Sequence, residues 1–599
     1  MAKDEKTVGG FLLERLQEWG IQRVFGYSGD GINGILKALW QAERDGRAGI
    51  EYVQTAHEEL AALMATAHSK YTGQVGVCLA TGGPGAIHLL NGLYDAKLDH
   101  RPVLAIVGQQ ATAGLGASAQ QEVDLKTLFK DVASDFVETI VSPEQARHVI
   151  DRALRIAIGR RTVTAIIIPH DVQEEPVVEE PPHEHGMQHS SAGFSAPRVF
   201  PADDDLRRAA EVLNAGSRVA ILAGAGALNA RAELVSVADA LGAGIAKALL
   251  GKAAVPDDLP YVTGTTGWLG TDASNRMLRE CDTLLMVGTT FPYTEFLPKP
   301  GSVRAVQIDL DPGGLGVRYP TEVNLSGDSA ETLRALLPLI ERKSDRGWRE
   351  QVEGWVEAWR AEEVRRAHEP ADPVNPQLVV HELSARLPDD AILAGDSGTS
   401  TVWLARHVRM RGEMMVTLSG GLATMGSAVP YALAAKLAHP GRLCVALAGD
   451  GAMQMNGINA LIDVSRRWRE WSDPRLVVIA FNNRDLAYVS WEQRVMDGFP
   501  KFPTTQDVPD FPYARYAELL GLRGVRVEKP QDVIPAIEAA LAADRPFVID
   551  AVVDPAVPTL PPELTDEQKK TLDQALKQGD PDEAAVREQL ERQNVGNAP

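Results

Sequence analysis

The stretch Leu443–Arg467, LCVALAGDGAMQMNGINALIDVSRR, decides the fold. It reads as an apolar run of strand length, a Gly-Asp-Gly turn and a helix, one step of a βαβ sheet. Gly449 and Gly451 let backbone approach a phosphate, and a helix start offers N–H donors without intrahelical partners. Asp450 between them would repel a bare diphosphate, so it makes sense with a divalent cation lying between the two. A second apolar run, LVVIAFNNRDLAYV from Leu476, ends in Asn482 and Asn483, and Gly451 to Asn482 is 31 positions. The Asn483 amide oxygen is a hard, neutral ligand. The backbone carbonyl of Asp485 can complete a set that suits Mg²⁺. A lone Gly-Asp-Gly is a common turn, whereas two strand ends at this spacing are far more specific.

Outward from that point the same rhythm repeats. The early runs RVFGYSG, IEYVQTA, VGVCLATGG and PVLAIVGQQ alternate with helical patterns, and this block closes with TAIIIPHD at residue 171. Residues 172–197 have no period and are rich in Pro, Glu, Ser and His. A second block carries RVAILAGAG, AGIAKALL, TLLMVGTT and AVQIDLDP, and a third carries AILAGDSG, MMVTLSG, LCVALAGDG, LVVIAFNN and PFVIDAVV. Alternation of this kind predicts an α/β protein of three doubly wound parallel-sheet domains. The boundaries fall at 1–182, a linker 183–198, 199–341, a helical connector 342–375, 376–558, and a charged helical tail 559–599. The first and third blocks match in length and rhythm, as a duplication would leave them. The tail has few apolar residues and reads as a solvated helical arm, a poor membrane anchor. His183, His185 and His189 in the linker read as solvated rather than as a metal tract.

The bulk numbers exclude some classes. Of 599 residues, 44% are hydrophobic and 24% charged, ordinary for a globular chain of several domains. Sixty Lys and Arg against 81 Asp and Glu give a net charge of −21, with no basic stripe, so nucleic acid is not an expected partner. Cys78, Cys281 and Cys444 lie in apolar runs without metal-ligand spacing and read as buried thiols in a reducing compartment. No signal-peptide pattern or membrane-length apolar run occurs, so the expected location is cytoplasmic, without stable membrane insertion.

The Gly-Asp-Gly and Asn-Asn pattern resembles the diphosphate-binding motif of the thiamine-diphosphate (ThDP) enzymes. By that resemblance Asp450, Asn483 and the Asp485 carbonyl hold Mg²⁺, and Gly451 and Ala452 donate to the diphosphate. The resemblance also implies an acid beside the aminopyrimidine ring, and HEELAALMATAHSKYTG offers Glu58 at a helix start. Thiamine must lose its C2 proton, and a carboxyl hydrogen-bonded to N1′ favours the tautomer that removes it. Taken alone, Glu58 and Glu59 would only counter the helix dipole. In LSGGLATMGSAVPYALAAKL, Met425 matches the wedge that bends the cofactor, with Ala423 and Thr424 contacting it through backbone. The three domains are then pyrimidine-binding, central FAD-type and diphosphate-binding.

From about residue 8 to 560 the chain resembles the pyruvate oxidase and quinone-dependent pyruvate dehydrogenase branch of the acetolactate-synthase-like superfamily. GGPGAIHLLNGLYDAKLDHRPVLAIVGQ carries this most closely, with LLGK, TTGWLG, GTTFPYTEFLP and QIDLDP. The resemblance implies FAD against Thr265, Thr266, Gly267 and Trp268, and against Gly288, Thr289, Thr290, Phe291 and Pro292. Asp309, Gly224 and Gly226 complete that set. Glu492 is implied to face the substrate carbon, Val489 to line the pocket, and Gln121 to touch substrate across a subunit interface. His57 and His88 lie near the same site. Relatives carry an aromatic residue where this chain has Gln120, a departure that bears on substrate and electron route. The implied activity is decarboxylation of a 2-oxo acid, pyruvate above others, with FAD-linked oxidation to acetate or an acetyl product. Quinone or O₂ is then the electron acceptor, and a homo-oligomer, a dimer of dimers, is expected. The alternatives are an acetolactate-synthase-like carboligase with structural or absent FAD, and a non-catalytic ThDP-binding paralogue.

Overall fold

The computed structural model describes residues 6–47 and 49–595. Among them, three six-stranded parallel sheets form. The first takes Arg23–Gly26, Glu51–Gln54, Gly76–Ala80, Val103–Gln109, Val137–Thr139 and Val163–Pro169. Numbered along the chain, these lie in the order 2-1-3-4-6-5. The third takes Ile392–Gly395, Met415–Thr417, Cys444–Gly449, Leu476–Asn482, Arg523–Val527 and Phe547–Val552. Its order is again 2-1-3-4-6-5. The likeness of the first and third blocks thus extends to topology.

The central sheet differs. Val219–Ala223, Gly244–Lys247, Val262–Thr265, Thr283–Val287, Arg304–Asp309 and Val323–Ser326 lie in the order 3-2-1-4-5-6. Its order reverses between the first and fourth strands, where Ala223 pairs with Val287. Ligands of open α/β sheets bind beyond the strand ends at such a point. The strands Val103–Gln109, Val163–Pro169 and Leu476–Asn482 are buried along their whole length, as sheets covered on both faces require.

The chain divides into two compact units. One holds the described part of 1–196 with 417–444 and 454–476; the other holds 197–416, 445–453 and the described part of 477–599. In the first unit, helix Glu58–Thr72 is buried almost all round, with Leu60 to Ala65 fully enclosed. The Ala-rich helix Ala428–Ala438 packs on it, and so does Leu90–Leu98. The latter comes close because Gly92 has no side chain: a Cβ there would stand 2.6 Å from the Leu63 backbone nitrogen.

In the second unit, the tail corrects the expectation of a solvated arm. It forms helices Asp566–Lys577 and Glu583–Arg592, the first closed by a capping box between Thr565 and Gln568. Leu572, Leu576 and Val586 bury themselves against Trp491, Val495 and Leu560. Buried Arg494 grips Asp580 with two bonds, at 2.7 and 2.8 Å. A sparse apolar stripe was enough for docking because fixed partners surround it. No helix among the described residues is long and apolar enough to cross a membrane. A short helix, His170–Glu174, runs into the aperiodic stretch; of the exposed linker histidines, His183 and His189 lie with ring centroids 6.1 Å apart, and the three form no metal-type cluster among the described residues.

Candidate active site

In the first unit the site grows from the end of strand Glu51–Gln54. Thr55 is buried and its hydroxyl donates to the His57 carbonyl at 2.8 Å. The Ala56 N–H donates to Asp463 at 2.9 Å. Burial pushes that carboxyl up to about 6. His57 is extended and its Nδ1 accepts the Glu59 N–H, so it caps the helix that Glu58 begins. Glu58 is 8% exposed, and its Oε2 lies 3.0 Å from His88 Nδ1. His57 stacks on His88 with centroids 4.5 Å apart.

Two glycines bring the next turn against this carboxyl. A Cβ at Gly85 would be 3.2 Å from Glu58 Oε1, and one at Gly83 would be 2.8 Å from Gln121 Cβ. Gln121 itself has φ +66°, a left-handed conformation uncommon outside glycine. Glu58, His88 and Gln121 are therefore gathered around one turn, Gly83–Gly85. Gln120 is exposed beside them. His57, Glu58 and His88 also group closely enough to resemble a metal site. The cap argues otherwise: Nδ1 accepts a bond, so neutral His57 carries its proton on Nε2 and has no lone pair to offer there.

The loop Leu418–Met425 lies in the same unit. Ala423 has φ +56°. Asn91 Nδ2 donates to Thr424 Oγ1 at 2.9 Å and to Glu59 Oε1 at 2.6 Å. Met425 is half-buried. Sequence reasoning missed Glu59, Asn91 and Asn456, the last of which donates to Glu59 Oε1 at 3.0 Å, as members of this site. Nothing local marks them, since each is defined by a partner far along the chain.

In the second unit, Asp450 is 2% exposed. Its carboxylate accepts from Gly451 N at 2.8 Å and Arg484 N at 2.6 Å. Gly451 N–H, expected to face a diphosphate, is thus turned onto the Asp450 side chain. Burial pushes the Asp450 carboxyl up to about 7, and the nearby Asp485 adds to this. No ion pair reaches Asp450 among the described residues. Asn483 Oδ1 lies in the following turn, where it accepts from Asp485 N at 3.0 Å. The Asp485 side chain accepts from Ser490 at 2.9 Å and pairs with Lys501 at 3.4 Å. Arg484 has φ +58°, which folds this turn back. Strained residues cluster at functional sites, and Gln121, Ala423 and Arg484 all stand at or between predicted positions. The donor set is oxygen-only and hard, so it fits Mg²⁺.

Helix Ala487–Glu492 follows, presenting exposed Val489 and Glu492, and a π-turn, Gln493–Asp497, closes it. Such turns recur at functional sites. In the central sheet the FAD-type candidates do gather at the strand ends. Gly224 N donates to Val287 O, and Gly226 N to Gly288 O. A Cβ at Gly288 would meet Gly226 at 2.5 Å, so close loop packing itself accounts for glycine here. Thr266 Oγ1 and Gly267 N both donate to Asn275 Oδ1, at 3.1 and 3.2 Å. Thr265 donates to Ala405 O, and Trp268 to Glu295. Phe291 is buried edge-on to Tyr293, and Thr289 is buried, whereas Thr290 and Pro292 are exposed and Asp309 is half-buried. Gly224, Gly226 and Gly288 lie at the order reversal, Thr265–Trp268 lie at the end of the edge strand, and the N–H groups of Gly224, Gly226 and Gly267 are taken up by protein acceptors.

Buried Cys78, Cys281 and Cys444 are free, and burial pushes each thiol up to about 12, far from reactive.

Comparison with known proteins agrees with this geometry. Three family models match: thiamine pyrophosphate enzyme, N-terminal TPP binding domain, over residues 6–128; central domain, over 206–336; and C-terminal TPP binding domain, over 396–551. YdaP of Bacillus subtilis (strain 168), named as a thiamine pyrophosphate-containing protein, is 37% identical over 565 residues, 94% of each chain. The pyruvate oxidase of Lactiplantibacillus plantarum is 30% identical, over 91% of this chain and 88% of its own. The acetolactate synthase isozyme 2 large subunit of Escherichia coli (strain K12) is also 30% identical, over 91% of this chain and 95% of its own. With all three models matched in order and relatives 30% identical along nearly the whole chain, the chain belongs to the thiamine pyrophosphate enzymes of the acetolactate-synthase-like superfamily.

Proposed function

We propose that this chain decarboxylates pyruvate, using ThDP and Mg²⁺, and oxidises the two-carbon product through FAD to acetate or an acetyl product. The observation that carries the cofactor reading is Asp450, a buried carboxylate with no ion pair among the described residues and an amide oxygen in the turn beside it. A divalent cation there would offset its desolvation. Asp450, Asn483 and the Asp485 carbonyl would hold that ion. When bound, thiamine supplies an electron sink for the bond to CO₂. Glu58 would hold the proton at the aminopyrimidine N1′, with His88 orienting its other oxygen. Glu492 and Val489 would meet the substrate from helix Ala487–Glu492, and Gln121 would orient its polar end. The central-domain loops after Ala223, Val287 and Asp309 would hold FAD, with quinone or O₂ as the final acceptor. The working form is a homo-oligomer, a dimer of dimers.

Carboligation is the second reading. It is favoured by the acetolactate synthase relative, as similar as the pyruvate oxidase, and by the polar, exposed Gln120. Two measurements decide. Purified holoenzyme is expected to show a flavin absorption band that pyruvate bleaches without air, with acetate formed. Acetolactate with an unbleached band would establish ligation instead.

A further inference from the structure

The paired acids at the start of helix Glu58–Thr72 have separate partners. Glu58 faces His88 and the Gly83–Gly85 turn. Glu59 Oε1 instead accepts two side-chain amides, from Asn91 at 2.6 Å and from Asn456 at 3.0 Å. Asn91 also donates to Thr424 Oγ1. Asn456 packs against Gly426, where a Cβ would stand 2.8 Å from Asn456 Cβ. The two amides thus bracket Met425 on both sides. At its far end the same helix places Lys70, with its side chain 1% exposed. The Lys70 ammonium donates to the Leu418 carbonyl at 2.8 Å and to Asp99 at 2.6 Å. Asp99 in turn accepts from Gly420 N at 3.1 Å and Gly421 N at 2.6 Å. Both ends of the loop 418–426 are therefore tied to one helix, and between them Ala423 is held in a left-handed conformation. Such a conformation persists only where its surroundings over-determine it.

We propose that Glu59 is a positioning residue, which fixes the cofactor-contacting loop Ala423–Met425 to the helix that presents Glu58, with Lys70 and Asp99 as the second anchor. This rests on reading Ala423–Met425 as cofactor contacts. A glutamine at 59 keeps an oxygen able to accept both amides, whereas alanine removes it. Charge is therefore secondary and geometry primary.

The test uses the full-length protein and four variants, Glu59→Ala, Glu59→Gln, Asn91→Ala and Met425→Ala. Hydrogen exchange of the 418–426 amides is measured without cofactor, and the Kd for ThDP with saturating Mg²⁺ by titration. Glu59→Ala is expected to speed exchange in that loop at least tenfold and weaken ThDP at least tenfold. Glu59→Gln should stay within about threefold of the parent on both. Asn91→Ala removes the bonds to Glu59 and Thr424 but leaves the Asn456–Glu59 bond, and should repeat the Glu59→Ala effect in weaker form, which covers the case where Glu59→Ala does not fold. Unchanged loop exchange in Glu59→Ala and Asn91→Ala overturns the anchor. Faster exchange with ThDP binding unchanged overturns the positioning role, provided Met425→Ala weakens ThDP. If Met425→Ala binds ThDP normally, the cofactor-contact reading of the loop fails and the anchor stands without that function.

Discussion

Glu58 and Asp450 are carboxyls at strand ends of two sheets with the same strand order, yet their surroundings are opposite. Glu58 starts a helix, keeps a histidine 3.0 Å from one oxygen, and is approached by a glycine turn at the other. Asp450 is deeper, is bonded only by backbone N–H groups among the contacts described above, and is pushed up to about 7 by burial. The first carboxyl has a side-chain partner at one oxygen. The second is unfavourable when ionised, because it is buried. One topology, used twice, surrounds its acid differently: the proposed function makes the first a proton site and the second a metal site.

The sharpest way to break this comparison is to neutralise each acid. Glu58→Gln is expected to lower turnover by roughly 10²–10⁴-fold. The stabilisation of the protein by Mg²⁺ and ThDP in a melting experiment should be retained. Near-normal turnover would remove Glu58 from the chemistry. Asp450→Asn should do the reverse, abolishing that cofactor-dependent rise in Tm. At 100 times the parent's Kd the lost stabilisation is about 2.7 kcal/mol.

The pH dependence sharpens the same contrast. Asp450 has a folded-state value raised from 3.8 to about 7. Its neutral form is favoured in the fold, so the stability it contributes is full below pH about 4 and is lost as pH rises to about 7. The penalty in the cofactor-free protein above that pH is on the order of 4 kcal/mol. Cofactor-free Asp450→Asn should therefore melt higher than the parent at pH 8 and equal to it near pH 4, with one lost N–H bond trimming the gain by about 1 kcal/mol. Mg²⁺ affinity should fall as pH drops below about 7. A parent and variant with the same melting profile across this range would show that Asp450 is not desolvated as described.

The smallest expected effect lies in the turn between the ligands. Arg484→Gly should be neutral or stabilising by at most about 1 kcal/mol, because glycine accepts φ +58° freely. Arg484→Val should cost about 1–2 kcal/mol and weaken Mg²⁺. Equal stability and affinity for the two variants would mean that this backbone conformation does not hold the site.

Much of this was legible along the chain. Strand and helix period are local properties, so three parallel-sheet blocks followed from the alternation of short apolar runs with helical patterns. Asp450 and Asn483 were legible because a turn glycine beside an acid and an amide at the next strand end have few other joint uses. The tail was misread for the converse reason: Leu572, Leu576 and Val586 are too few to suggest a buried face without the partners they find on Trp491 and Leu560.

What the sequence determined by itself was the class of fold, the Gly-Asp-Gly turn at a strand end and the pair Glu58–Glu59 at a helix start. What tertiary structure alone decided was which of the two acids faces which partner. Asn91 reaches Thr424 across 333 positions and Asn456 reaches Glu59 across 397. Hydrogen bonds of that span depend on how helices pack, and no local period records them. The side-chain bonds of Asp485 and the left-handed turns at Gln121, Ala423 and Arg484 are of the same kind. They persist because the packed surroundings make the alternatives costlier than the strain.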